Sequence, residues 1–265
     1  MSIYTSHDMI RDCRENKPEG WSYLVTHYAP VTGRLLEHYY EARAAETKRI
    51  ERVLPALLNP ALPMFAAPGA ATEREFVVAL RDAVLHVVEK EEASGTPELT
   101  LDLDTLTAAF TPFTATERQF VWLESMNYSD MQAALLMNLE QATIRKARDR
   151  AGELLREKLD SWNKGLIREH GLALGRLAAG VRGPSCLPAG AFLDTIDGRI
   201  TWSRRKDYES HLTACWHCVD YFCRIREADN ALRHVKPLSM EQAAPFLKLL
   251  GLPEQKKTFW KKMFS

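Results

Sequence analysis

The chain has 265 residues, 46% of them apolar and 26% charged, which excludes a wholly disordered protein, a collagen repeat and a disulfide-dense miniprotein. Lys plus Arg and Asp plus Glu number 35 each, so the molecule as a whole offers no general field for nucleic acid or anionic lipid. The distribution is uneven: residues 1–100 carry 11 basic and 15 acidic side chains, 101–160 carry 7 and 10, and 161–265 carry 17 and 10.

Met1 to Arg14 is polar and lacks the apolar core of a secretory signal. The longest uncharged run, 53–72, contains Pro55, Pro60, Pro63 and Pro68 and predicts a loop rather than a membrane span. Together these place the protein in the cytoplasm, with no membrane among its expected partners. In that reducing compartment, five cysteines point to metal or redox chemistry more than to disulfides.

Apolar residues recur at spacings of three and four and strand signals are scarce, so the expected fold class is all-α. The first domain, 1–92, opens with a helical pattern from Asp8 to Ala45, where Trp21, Leu24, Tyr28, Val31, Leu35 and Tyr39 form one stripe. Glu73 to Glu92 predicts a second helix with Phe76, Leu80, Val84 and Val87/Val88 inward. Residues 93–113 read as a linker, punctuated by Ser94, Gly95 and Pro97.

The domain 114–162 reads as helix, turn, short helix, turn, long helix. Thr114 with Glu117 predicts a capped helix to about Asn127, Ser129 caps a second one ending near Met137, and a third runs from Glu140 toward Leu159. Ile144, Ala147, Ala151 and Leu154 would pack inward. That leaves Gln141, Arg145, Lys146, Arg148 and Arg150 outward, the cationic face that a helix-turn-helix sets in the DNA major groove. An ordinary three-helix bundle with a solvated face fits the same pattern. A glycine-rich linker, 163–185, follows.

In the next domain, 186–234, Cys186, His211, Cys215 and Cys218 have the spacing C-x24-H-x3-C-x2-C. Three thiolates and an imidazole suit one tetrahedral structural Zn(II) per chain, with three ligands converging from one helical end. His217 and Cys223 fall outside that set. A redox pair at Cys215 and Cys218 is the alternative, although no strand pattern precedes it as in thioredoxin-like motifs. The tail, 235–265, ends basic and aromatic, with Lys256, Lys257, Phe259, Trp260, Lys261 and Lys262.

Two resemblances join these parts. Thr116-Glu117-Arg118-Gln119, Tyr128-Ser129, Ala133-Ala134, Met137-Asn138-Leu139, Thr143-Ile144-Arg145-Lys146 and Arg150-Ala151 resemble region 4 of sigma-70-type factors of the extracytoplasmic-function group. That module reads the −35 promoter element, and the resemblance assigns DNA contact to Gln141, Thr143, Arg145, Lys146, Arg148 and Arg150. Ala147 stands where the family often has Arg. Trp21 to Leu36 resembles the opening helix of sigma region 2. Thr47 to Arg52 is basic where the family docks on polymerase through an acidic helix. Cys186-Leu187-Pro188, Phe192-Leu193-Asp194, Asp197-Gly198-Arg199-Ile200 and His211 to Cys218 resemble the zinc-binding anti-sigma domain, which wraps a sigma factor.

The expected protein is therefore a non-enzymatic transcription regulator that binds promoter DNA and engages core RNA polymerase. Its zinc module would contact the sigma-like part intramolecularly. The competing expectation is a protein-interaction regulator without DNA contact, whose partner is a sigma factor, an anti-sigma factor or polymerase.

Overall fold

The computed structural model describes residues 4–39, 46–66, 72–92, 103–126, 128–158 and 174–252. Among these every regular element is helical and there is no strand, so the protein is all-α. The chain divides into two compact units, Met1–Thr96 with Ala231–Ser265, and Pro97–Asn230.

In the first unit the pattern from Asp8 onward yields two helices, α1 (Ser6–Arg14) and α2 (Pro18–Tyr39), in place of one. Asn16 takes the left-handed conformation (φ 55°) and Pro18 cannot continue a preceding helix, so the chain turns back there. The Asn16 side chain accepts a hydrogen bond from Trp21 Nε1 at 2.9 Å, which fixes the corner. Gly20 lies against the end of α1, where a Cβ would sit 2.6 Å from the backbone N of Cys13. The expected stripe Trp21, Leu24, Tyr28, Val31 and Leu35 is buried. Tyr39 is outside the described side chains.

The segment 53–72 is not all loop. Helix α3 (Glu46–Leu57) continues through Pro55, and α4 (Pro63–Ala66) follows. A proline in the final turn forfeits a single hydrogen bond, and Val53, Leu54 and Leu57 gain burial in exchange. Helix α5 (Glu73–Glu92) keeps its expected bounds, with Phe76, Leu80, Val84 and Val88 buried, and Glu73 accepts from the Tyr28 hydroxyl at 2.8 Å.

Pro30 inside α2 has no N–H, so the Thr26 carbonyl four residues back loses its helical donor. The backbone N–H of Leu238 supplies that bond at 2.9 Å. Leu238 leads into a helix that the expected tail did not include. Ser239 and Gln242 form its capping box, and Ala243 and Leu247 pack on Val25 of α2.

The second unit begins with α6 (Leu103–Phe110), inside the segment expected to be a linker. Helices α7 (Ala115–Ser125), α8 (Asp130–Met137) and α9 (Gln141–Lys158) follow at the anticipated places. The expected capping box forms at Thr114/Glu117, and Ser129, expected as a cap, completes a second box with Gln132. Asn127, where the first of these helices was expected to end, is outside the described residues. Asn138 ends α8 at φ 53°, and this left-handed residue turns the chain into α9. The described part of the second expected linker is helical over 174–180, designated α10. Helices α11 (Ala189–Ile196), α12 (Trp202–Leu212) and α13 (Trp216–His234) complete the unit, residues 231–234 of α13 belonging to the first unit, and α14 (Met240–Leu249) is the capped helix packed on α2.

Gly20→Ala is expected to cost about 1–3 kcal/mol by overpacking against α1. Gly152→Ala, in the middle of α9 with nothing within 4 Å of its Cβ, should instead stabilise by about 0.5–1 kcal/mol. Urea denaturation of each variant measures both signs.

Candidate functional site

Cys186, His211, Cys215 and Cys218 place one ligand atom each within 4.8 Å of one another, and this cluster can hold a metal ion. The ligands do not come from one helical end. His211 closes α12, Cys215 sits in the turn after Thr213, and Cys218 lies in the first turn of α13. The His211 carbonyl still accepts the Cys215 N–H at 3.0 Å, so the four-residue spacing acts across a corner between two helices. Cys186 approaches from the loop before α11.

The donor set fits a tetrahedral thiophilic cation. Ligand bonds of about 2.3 Å would put two thiolates about 3.8 Å apart. The Cys186 and Cys215 sulfurs stand 3.7 Å apart, and His211 Nε2 is 3.2 Å from the Cys218 sulfur. Backbone N–H groups also face the sulfurs, Gly183 donating to Cys186 at 3.2 Å and Leu187 to Cys218 at 3.4 Å, the outer contacts that orient ligating thiolates. Burial raises the thiol pKa of Cys215 and of Cys218. A bound cation would offset that cost by favouring the thiolates. His217 stacks on Tyr221 away from the cluster, burial lowering its pKa, and Cys223 is a buried thiol facing the Gln119 carbonyl. Four protein ligands close the coordination shell, so the group they would hold is a cross-link between the α12–α13 corner and the loop before α11.

The six residues expected to face DNA all lie on α9, whose inner face buries Ile144, Ala147 and Ala151, with Leu154 half-buried. Gln141, Thr143, Arg145 and Lys146 are exposed, and Arg145 and Lys146 have no ion-pair partner among the described residues. Arg148 and Arg150 do. Arg148 pairs with Asp130 of α8 and lies 3.3 Å from Asp149, while Arg150 reaches Glu117 of the α7 cap at 3.2 Å. These two cations tie α9 to its neighbours, which a pattern of outward charges does not reveal.

The cysteine-bearing segment and α7 share a core. Trp122 Nε1 of α7 donates to buried Asp220 of α13 at 2.9 Å, and Arg224 pairs with the same carboxylate at 2.6 Å. Arg224 also donates to the Gly175 carbonyl of α10 at 3.2 Å. The Tyr128 hydroxyl donates to Glu227, and Arg226 to the Leu136 carbonyl of α8 at 3.0 Å. Arg118, 1% exposed, donates to the Phe110 carbonyl at 2.8 Å and lies over the Trp216 ring, burial lowering its pKa to about 10. Sequence pattern missed this set because, apart from the Asp220–Arg224 pair on one helix and the Arg118–Phe110 bond, its members are far apart in the chain.

Met131 and Leu135, one helical turn apart on α8, are 69% and 59% exposed, and Leu139, past the left-handed Asn138, is 36% exposed. The available signal was an α8 with apolar residues all round, more than one packed face can bury.

Among the described residues no helix is long and apolar enough to cross a membrane. No protein-family model, curated protein or solved structure matches the chain.

Full-length protein purified under reducing conditions is expected to bind one divalent metal per chain by elemental analysis. Cys218→Ala should lower that content at least tenfold, and chelation of the native chain should lower the Tm of the wild type but not of the variant.

Proposed function

We propose that this chain is a transcription regulator in which α7–α9 act as a sigma region 4-like DNA-reading unit controlled by the zinc-binding, anti-sigma-like segment behind it. The observation that carries this reading is the face of α9. Arg145 and Lys146 stand exposed, and unpaired among the described residues, beside Gln141 and Thr143, on a helix whose other face is packed and whose start comes after a left-handed turn. Such cations neutralise phosphates, and the short polar side chains beside them reach base edges.

In the same reading the metal is Zn(II), one per chain, held by Cys186, His211, Cys215 and Cys218. It supplies a fixed cross-link rather than an open coordination position, so its role is structural, and this reading assigns the chain no enzymatic activity. The segment it braces packs on α7 through Asp220 and on Tyr128 through Glu227, which supports control of the DNA-reading helices from within the chain. Promoter DNA and core RNA polymerase are the proposed partners, and the cytoplasm the proposed site of action.

The test is retention of the full-length chain on duplex DNA from its host's promoter regions, with increasing salt. Arg145→Glu with Lys146→Glu is expected to weaken retention at least tenfold and to reduce the log–log salt slope by about 2. Unchanged retention by a folded double variant would refute DNA reading through α9.

The exposed apolar pair Met131 and Leu135 favours a second reading, docking of another protein on α8. Here the partner is a sigma factor, an anti-sigma factor or polymerase. Met131→Glu with Leu135→Glu should abolish co-purification of that partner while DNA retention stays within twofold of wild type. The reverse pattern sinks this second reading.

A further inference from the structure

We propose that a pocket inside the second unit, between α7, the α8–α9 turn, α11, α12 and α13, binds a small monocarboxylate with a short hydrocarbon body. The pocket has a volume of about 80 Å³. At about 30 Å³ for each packed water-sized group, that is room for about three such groups, the carboxylate end of a short acid.

The charge requirement comes from Arg226, which lines the pocket. Its guanidinium lies 4.2 Å over the Phe222 ring, and one terminal nitrogen donates to the Leu136 carbonyl. Its Nε is buried without a partner. The remaining terminal nitrogen is neither bonded to the described residues nor buried, and none of their carboxylates lies within ion-pair distance of the group. Burial draws its pKa down to about 10, so it is still a cation at neutral pH. Asp229 favours its charge from beyond ion-pair distance, and a half-buried guanidinium with one open edge and no carboxylate paired to it is suited to a carboxylate or phosphate oxygen.

The remaining lining separates those two anions. Arg205 also lines the pocket, but its charge is met by Glu209 at 2.9 Å, so the pocket offers one net positive charge rather than two. The Thr116 and Tyr208 hydroxyls, neither with a partner among the described residues, add two neutral donors. Phe192, Leu212 and Phe222 form an apolar wall. A monoanion with a hydrocarbon body complements this arrangement, whereas inorganic phosphate would leave the apolar wall unmatched and bring up to two charges.

The pocket joins the first turn of α7 to α12, the helix with His211 in its last turn. Its occupant would therefore touch α7 and α12, two of the helices that the reading above joins. The inference does not depend on DNA binding, and its test involves no DNA.

Full-length protein is titrated at constant ionic strength with sodium butyrate, butyramide, sodium phosphate and sodium chloride, monitored by calorimetry and thermal unfolding. The expected result is saturable butyrate binding with a rise in Tm, and at least tenfold weaker binding of butyramide and phosphate. Arg226→Gln should weaken butyrate at least tenfold. Should that variant fail to fold because the Leu136 carbonyl loses its donor, Thr116→Trp, which fills the pocket from a half-buried position, should abolish the butyrate response. Butyrate behaving like chloride overturns the site. So does butyrate affinity unchanged in folded Arg226→Gln or Thr116→Trp. Phosphate binding more tightly than butyrate overturns the monocarboxylate assignment.

Discussion

Asp220 is 1% exposed and negatively charged, a state that burial disfavours unless partners replace the lost water. It accepts from the Trp122 indole and pairs with Arg224, and the Arg224 guanidinium in turn satisfies the Gly175 carbonyl. A single carboxylate thus fixes α7 and α10 to α13. Removing one member of a buried charged pair costs about 3–5 kcal/mol, because the partner is left uncompensated. The register of α13 that this anchor sets decides where Cys218 points at its first turn, and where Arg226 and Glu227 meet α8 and Tyr128. The Cys–His cluster and the pocket both inherit that register.

The first unit uses a different device to the same end. Pro30 leaves the Thr26 carbonyl without its helical donor, and an unpaired buried carbonyl carries a desolvation cost. The Leu238 N–H removes the cost, and α14 packs beside it with Ala243 and Leu247 on Val25. A proline in a buried helix is here a docking point for a segment near the other end of the chain.

Charge is also divided by function on α9. Arg148 and Arg150 satisfy Asp130 and Glu117, the acidic groups at the starts of α8 and α7, so they hold the three helices together. Arg145 and Lys146 meet no such carboxylate among the described residues and remain available to an external anion. The acidic balance of residues 101–160 is therefore compatible with a small cationic face, since part of the negative charge is met within the unit.

Local interactions are what the amino-acid pattern by itself determined. The helical class, the bounds of α5, and the capping boxes at Thr114/Glu117 and Ser129/Gln132 depend on residues three or four apart, so they can be read directly. The four residues that could hold a metal ion were legible for a related reason, since few side-chain types bind a thiophilic cation and their spacing is short on one side. The break at Asn16 was missed because a left-handed asparagine is stabilised by the Trp21 indole and the packing of Gly20 on α1, and α14 because its packing partner, α2, lies far away in the chain. Only the tertiary structure decided which arginines are consumed by ion pairs and which polar groups share the buried carboxylate of Asp220. It also decided which side chains enclose the pocket around Arg226. All three depend on contacts between residues distant in the chain, whose energies appear only when burial removes the water that would otherwise satisfy each group alone.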